Sequence, residues 1–260
     1  MAIPVSLELY SVRKSLADDL YGTLKKVKEF GYDAVEFAGG AAHTAQEYAA
    51  ALANTGLSCS GWHFSYEPLF VGDKLFDDAV RFHSEVGNKY IIVPGIPGDM
   101  LNSYDNLKRT AEKFNAISER LSKYGMYVGY HNHSSEFSVL PETGKTTWST
   151  LRELTVPDFI MQLDTGNAMN GGGDIKAELF ASEGRAQIVH LKPYSYKTGY
   201  ETILGDLGDD NDYEMILNFC REKGGTVAYV IEYECETLFS ELEGVRLCIE
   251  NLRKKYGGLL

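Results

Sequence analysis

Apolar residues gather in eight short runs rich in β-branched and aromatic side chains. Longer stretches lie between them in which apolar positions return every three or four residues. The short runs predict strands at 5–9 (VSLEL), 33–37 (DAVEF), 57–63 (LSCSGWH), 90–94 (YIIVP), 126–131 (MYVGYH), 159–164 (FIMQLD), 186–191 (AQIVHL) and 227–232 (VAYVIE). The longer stretches predict helices, among them 17–30, 44–54, 74–86, 103–124, 211–223 and 237–255. In LADDLYGTLKKVKEFGYDAVEF, residues Leu20, Leu24, Val27 and Phe30 form one helical stripe. Asp18 and Asp19 place negative charge in its opening turn, and Gly31 supplies a C-cap before the next strand. Eight β-then-α units in 260 residues predict an α/β fold, a single (β/α)8 TIM barrel spanning residues 1–260. The alternative is an open doubly wound sheet. No GxGxxG follows the first strand, and the GGG at 171–173 lacks the Lys-Ser/Thr of a phosphate loop, so it reads as a plain loop.

Strand side chains alternate between faces. In MYVGYHNH, Met126, Val128 and Tyr130 share the face that packs on helices, and Tyr127, Gly129, His131 and His133 share the other. The same alternation groups Ile160, Gln162 and Asp164; then Ile188, His190 and Lys192; then Val230, Glu232 and Glu234. Six strands thus finish with an ionisable residue on the inner face: Glu36, His63, His131, Asp164, His190 and Glu232. Barrel active sites lie at the C-terminal strand ends, and charges left unpaired there would be costly. Such residues bind a divalent metal or one another. The mixed nitrogen and oxygen donors of His131, Asp164, His190 and Glu232 suit one Mn, Co, Zn or Fe ion better than calcium. Lys192 shares the face of His190 and is placed to meet a substrate oxygen or phosphate. Tyr10 and Trp62 are candidates for an aromatic wall at the mouth. Glu8 faces inward but in mid-strand. His43 and His83 fall in helical stretches and are expected at the surface, and the acidic 205–212 as a solvated loop and helix start.

The net charge of −12 and pI near 5.0 lack the basic footprint of nucleic-acid binding and leave a small polar substrate as the better fit. No apolar run approaches the roughly 20 residues of a membrane span, and the opening MAIPVSLELYSVRK lacks the marks of a signal peptide. A cytoplasmic location is expected. Cys59, Cys220, Cys235 and Cys248 form no CxxC pair and are expected to be reduced and mostly buried.

Five motifs in order carry a resemblance over nearly the whole chain: LELYSVRKSL…TLKKVKEFGYDAVEF, GYHNHSSEF, QLDTGNA, VHLKPYS and YVIEYE. The chain resembles the sugar phosphate isomerase/epimerase, or xylose isomerase-like, barrel superfamily. The resemblance implies one divalent metal held by a Glu, an Asp, a His and a Glu from strands five to eight. Asp164, His190 and Glu232 match the last three. His131 stands where the fifth-strand Glu is expected, so that ligand stays open among His131, His133 and Glu136. Asn167 replaces a His that many relatives carry three residues after the sixth-strand Asp. The implied reaction removes a proton next to a sugar carbonyl, with the metal polarising the oxygen. Glu232 fills one proton-moving role, His133 or Glu136 the other, and Lys192 assists. Glu36, His63, Trp62 and Tyr10 are the expected substrate contacts. Two alternatives stay open: a lyase or dehydratase on a keto sugar or inosose, and a barrel that binds sugar without catalysis. A related apurinic-site endonuclease would need three zinc ions and more ligands than six histidines and this acidic chain supply. A homo-oligomer is expected only by analogy.

Overall fold

A computed structural model describes residues 2–206 and 208–260. The eight strands are β1 (Val5–Glu8), β2 (Ala34–Ala38), β3 (Ser58–His63), β4 (Tyr90–Val93), β5 (Tyr127–His131), β6 (Ile160–Gln162), β7 (Ile188–Leu191) and β8 (Ala228–Ile231). They form one parallel sheet in the order β6-β5-β4-β3-β2-β1-β8-β7. At the remaining seam, Asp164 and His190 form a parallel bridge, and the His190 N–H donates to the Leu163 carbonyl at 2.9 Å. The sheet is therefore a nearly closed TIM barrel, and its seam runs through two of the expected metal ligands.

The helices are α1 (Arg13–Asp18), α2 (Leu20–Phe30), α3 (Ala45–Thr55), α4 (Glu67–Phe70), α5 (Asp73–Val86), α6 (Tyr104–Ser122), α7 (Thr147–Leu154), α8 (Thr165–Asn170), α9 (Ile175–Ala181), α10 (Tyr213–Phe219) and α11 (Glu241–Tyr256). Their caps follow the sequence. Thr44 and Glu47 make a reciprocal capping box at α3, and Gly31 ends α2 in the left-handed region at φ 103°. The stretch expected as one helix at 17–30 is broken at Asp19, whose extended backbone caps α2 through a hydrogen bond from the Gly22 N–H. The helix expected at 211–223 runs as α10 and ends in a π turn. No helix among the described residues is long and apolar enough to cross a membrane.

Two apolar layers result. Residues of the outer strand faces and the helices form the large core, while Ile92, Ile160, Ile188 and Val230 form a separate cluster inside the barrel. Two glycines make room beside that inner layer. A side chain at Gly129 would strike Ile160 and Ile92, and one at Gly61 would strike the Glu36 carboxylate. A register shift after Val35 pairs Glu36 with Gly61 and so permits that approach.

One surface expectation is corrected. His83 is fully buried, ringed by Trp62, Phe64 and Phe82, and its Nδ1 accepts from the Asn88 amide at 3.1 Å. The acidic 205–212 is, as expected, a largely exposed loop that ends in the Asp212 cap of α10, and it is anchored as well. Asp209 accepts from the backbone N–H groups of Tyr194 and Gly205 and from the Tyr213 hydroxyl, which ties the loop after β7 to α10. Leu207 lies outside the described residues. Cys220, Cys235 and Cys248 are buried, Cys59 is half-buried, and all four are free thiols.

Burial lowers the His83 pKa from 6.5 to about 4. The unfolded chain takes up that proton near pH 6.5, so stability falls as pH drops from 6.5 toward 4. Urea unfolding at pH 7 and pH 5 checks this. His83→Phe is expected to lose about 2 kcal/mol less than the native chain over that interval, and equal losses would contradict the assignment.

Candidate functional site

Residue Asp164 leaves the end of β6 and starts α8. Its Oδ1 accepts the Asn167 N–H at 2.7 Å, which caps the helix. Asn132 grips its main chain, accepting from the Asp164 N–H at 2.8 Å and donating to its carbonyl at 3.2 Å. Asp164 Oδ2 remains buried without a hydrogen-bond partner.

Gln162, two residues earlier on the same inner face, orients the imidazoles. Its Nε2 donates to Glu36 Oε1 at 2.8 Å. Its Oε1 therefore faces the histidines and accepts from His63 Nε2 at 2.7 Å and His131 Nδ1 at 2.9 Å. A carbonyl oxygen only accepts, so each ring carries its proton on that nitrogen and a lone pair on the other. The His131 Nε2 lone pair lies 3.8 Å from Asp164 Oδ2, and His63 Nδ1 lies 3.9 Å from Glu8 Oε1. Burial lowers the pKa of both histidines, which keeps the rings neutral.

His190 sits between two carboxylates, with Nδ1 2.8 Å from Glu232 Oε2 and Nε2 2.5 Å from Glu36 Oε2. Burial alone would lower its pKa, but Glu36 and Glu232 outweigh burial and push it up to about 10. Lys192 is also buried. Its ammonium donates to Glu232 Oε1 at 3.0 Å and to Glu234, and lies 3.9 Å from Asp164 Oδ2. Burial raises Asp164 to about 8, with Lys192 opposing. Burial would also raise Glu232, but Lys192 and His190 hold it well below the usual carboxylate range. Glu8 shifts the other way. Burial, then the charges of Glu36 and Glu232, raise it well above that range, and both its oxygens lack hydrogen bonds.

One donor atom each from His131, Asp164, His190 and Glu232 lies within 4.8 Å of the others. Donors bound to one ion at about 2.0–2.2 Å stand at most about 4.4 Å apart across it. The His131–Asp164 separation of 3.8 Å, the His190–Asp164 separation of 4.0 Å and the His190–Glu232 separation of 2.8 Å all fall inside that span. The free Asp164 oxygen and the His131 lone pair fit a cation that takes both nitrogen and oxygen. His190 fits once Nδ1 gives up its proton, because Glu36 then holds the Nε2–H, as carboxylates do behind metal-bound imidazoles. Beside this cluster opens a mouth cavity of about 570 Å³, lined in part by Glu8, Tyr10, His63, His131, His133 and Glu232. That size lies in the range of about 300–1,000 Å³ for small-molecule sites.

The structure thus brings His131, Asp164, His190, Glu232 and Lys192 together, with His63 and an exposed His133 at the cavity wall. Three expectations need correction. Glu36 is fully buried among His63, Gln162 and His190 and lies outside the lining of the mouth. Glu136 turns away from the mouth. Its oxygens accept from the Tyr130 hydroxyl, the His133 N–H and Ser135 Oγ, and it lines a different groove. Trp62, one residue before inward-facing His63, points to the helix side. It is 1% exposed, stacks on Phe37 and donates to the Gly39 carbonyl at 2.8 Å. Gln162 and Asn132 carry no charge and so stand out less in the sequence than the ionisable strand ends. The alternation that placed Asp164 inward also placed Gln162 there, which was the available signal. Asn167 keeps a partner, since its Oδ1 accepts the Tyr200 hydroxyl at 2.7 Å.

Residues 24–255 match the family described as xylose isomerase-like TIM barrel. A sugar phosphate isomerase/epimerase from Parabacteroides distasonis is 24% identical and superposes with a TM-score of 0.85, covering 98% of this chain and 96% of its own. A D-psicose 3-epimerase structure, obtained in the presence of D-fructose, is 12% identical with a TM-score of 0.72, covering 98% of this chain and 100% of its own. The IOLI protein, solved with a zinc atom, is 12% identical with a TM-score of 0.71, covering 99% of each chain. At these identities the likeness is one of fold. No curated protein sequence gives a significant match.

Replacing Gln162 tests its orienting role. Gln162→Leu is expected to weaken Zn²⁺ or Mn²⁺ binding by about 10–100-fold in competition with a fluorescent chelator, with folding checked by circular dichroism. Unchanged affinity in the folded variant would contradict that role.

Proposed function

The chain belongs to the xylose isomerase-like TIM barrel family, and we propose that its mouth is the active site of a divalent-metal-dependent sugar isomerase or epimerase. The observation that carries this reading is the donor set itself. His131 and Asp164 offer a lone pair and an oxygen that no hydrogen bond among the described residues uses, beside His190 and Glu232. The relatives named for sugar isomerisation and epimerisation support the same chemistry. His131, Asp164, His190 and Glu232 would hold the ion, which when bound supplies a Lewis acid for a sugar carbonyl.

The chain's own groups divide the remaining work. Glu232 lines the mouth and is held ionised beside Lys192, so it accepts the proton from the carbon next to the carbonyl. Glu8 lines the same cavity with both oxygens free of hydrogen bonds, and His133 stands exposed in its lining. These two are the groups that return a proton. Lys192, covered by Tyr200 at 5.2 Å, holds Glu232 in place and balances its charge. Gly39 and Pro94 complete a wall with room for a ring-sized substrate.

One observation favours a second reading. The fifth-strand ligand is a buried neutral imidazole in place of the carboxylate that the resemblance implies, so of the strand-five and strand-eight ligands Glu232 alone is a carboxylate able to move a proton, and on one face only. A lyase or dehydratase on a keto sugar needs abstraction from one face and then loss of a hydroxyl. Abstraction next to a carbonyl is common to both readings.

Solvent exchange tests that shared step. A panel of ketohexoses incubated in D₂O with the Mn²⁺-loaded protein is expected to take up deuterium next to the carbonyl of at least one member, read by proton NMR. Glu232→Gln is expected to slow that exchange by at least about 100-fold. No exchange with any member, or exchange untouched by the variant, would overturn the assignment.

A further inference from the structure

TIM barrels commonly hold a substrate phosphate on the loops after the seventh and eighth strands and on the N–H groups that open a helix. In this chain those donors already hold anions, and the anions are its own carboxylates. In the loop after β7, Asp209 accepts from the N–H groups of Tyr194 at 3.1 Å, Gly205 at 2.8 Å and Asn211 at 3.2 Å. It also accepts from the Asn211 amide and the Tyr213 hydroxyl. Asp210 takes the Tyr196 N–H at 2.7 Å. Where α1 begins, Glu241 takes the N–H groups of Lys14 at 3.3 Å and Ser15 at 2.6 Å. Helix α8 is capped by Asp164 and α10 by Asp212, and α11 carries Glu241 and Glu243 in its first turn.

The side-chain cations are committed in the same way. Arg13 is the one Lys or Arg among the described residues that line the mouth. Its guanidinium is paired with Glu236 at 2.5 Å, and Lys14 holds the same carboxylate. Lys192 is surrounded by Glu232, Glu234 and Asp164. The cation that the site would hold is itself faced by Asp164 and Glu232. A phosphate entering the mouth meets Glu8, Glu232 and Glu234 in the lining and must displace Glu236 to reach Arg13. Like charges brought together in this way cost affinity. A sugar hydroxyl meets no such opposition. It both donates and accepts, and both oxygens of Glu8 lack hydrogen bonds.

Resting on the reading of the mouth as a sugar site, we propose that its substrate is an uncharged, unphosphorylated keto sugar, and that Asp209, Asp210, Glu236 and Glu241 stand as internal anions where a phosphate would bind. The acidic 205–212 then has a part in selectivity. It closes the backbone donors of the β7 loop, while Glu236 closes the guanidinium at the rim.

D-Fructose, D-psicose, D-ribulose and D-xylulose, each paired with its terminal phosphate ester and titrated calorimetrically into the Zn²⁺-loaded protein, test the proposal by binding and not by turnover. In at least one pair the free sugar is expected to bind at least about tenfold more tightly than the ester. Glu236→Gln keeps the size of the side chain and releases Arg13 and Lys14. It is expected to tighten binding of the ester at least about threefold and to leave the free sugar unchanged. A smaller preference in every pair, or one that Glu236→Gln leaves unaltered, overturns the charge exclusion and leaves the mouth reading standing. Failure of every free sugar and every ester to bind overturns the sugar reading and this inference with it.

Discussion

The carboxamide of Gln162 joins Glu36 to two histidines at the floor of the mouth, and the chemistry above it depends on that bond pattern. An amide has one accepting end and one donating end. Once Glu36 takes the donating end, the accepting end must take a proton from His63 and another from His131. The proton positions on both rings follow, and with them the lone pair that His131 turns toward Asp164. Glu36 acts twice, since its other oxygen holds His190. A neutral side chain at the last residue of β6 thus sets the donor atoms of two imidazoles, and the carboxylate it holds reaches the third.

The fold supplies the place where this can happen. The sheet is continuous from β6 around to β7, and the gap between those two strands is bridged at Asp164 and His190. Below it the barrel is closed by aliphatic side chains, and above it lie buried charges that would be untenable singly. They are tolerated because each is paired: Glu36 with His190, and Glu232 with His190 and Lys192, while the exposed Glu234 adds a second partner for Lys192. Buried pairs of this kind do not make a barrel more stable than packed aliphatics would. Their retention is better explained by chemistry at the mouth than by stability.

Most of the barrel was legible because strand alternation and helical stripes are local signals. All eight strands lie within a few residues of where apolar runs place them, and the inward set Asp164, His190, Lys192 and Glu232 came from period two alone. Other features depend on contacts that sequence spacing does not encode. His83 sits on a helix, and only the aromatic ring around it shows that it is buried. Glu136 follows His133 by three residues, but a tight turn lets it cap its own loop, which aims it away from the mouth. Trp62 suggests a stacking surface by residue type, although its neighbour His63 faces inward and so fixes Trp62 on the other side. The role of Gln162 was hidden for a different reason: a carboxamide has no charge to mark it, and its three partners come from strands far away in sequence.

Elemental mass spectrometry of the unmodified chain, after equilibration with Mn²⁺, Co²⁺ or Zn²⁺ and removal of loosely held ions, tests the central claim most directly. If Gln162 and Glu36 have prepared His131, Asp164, His190 and Glu232 for a cation, about one divalent ion per chain stays bound. Retention of none of the three metals would contradict that account and leave His190 and Lys192 as the permanent countercharges of the mouth.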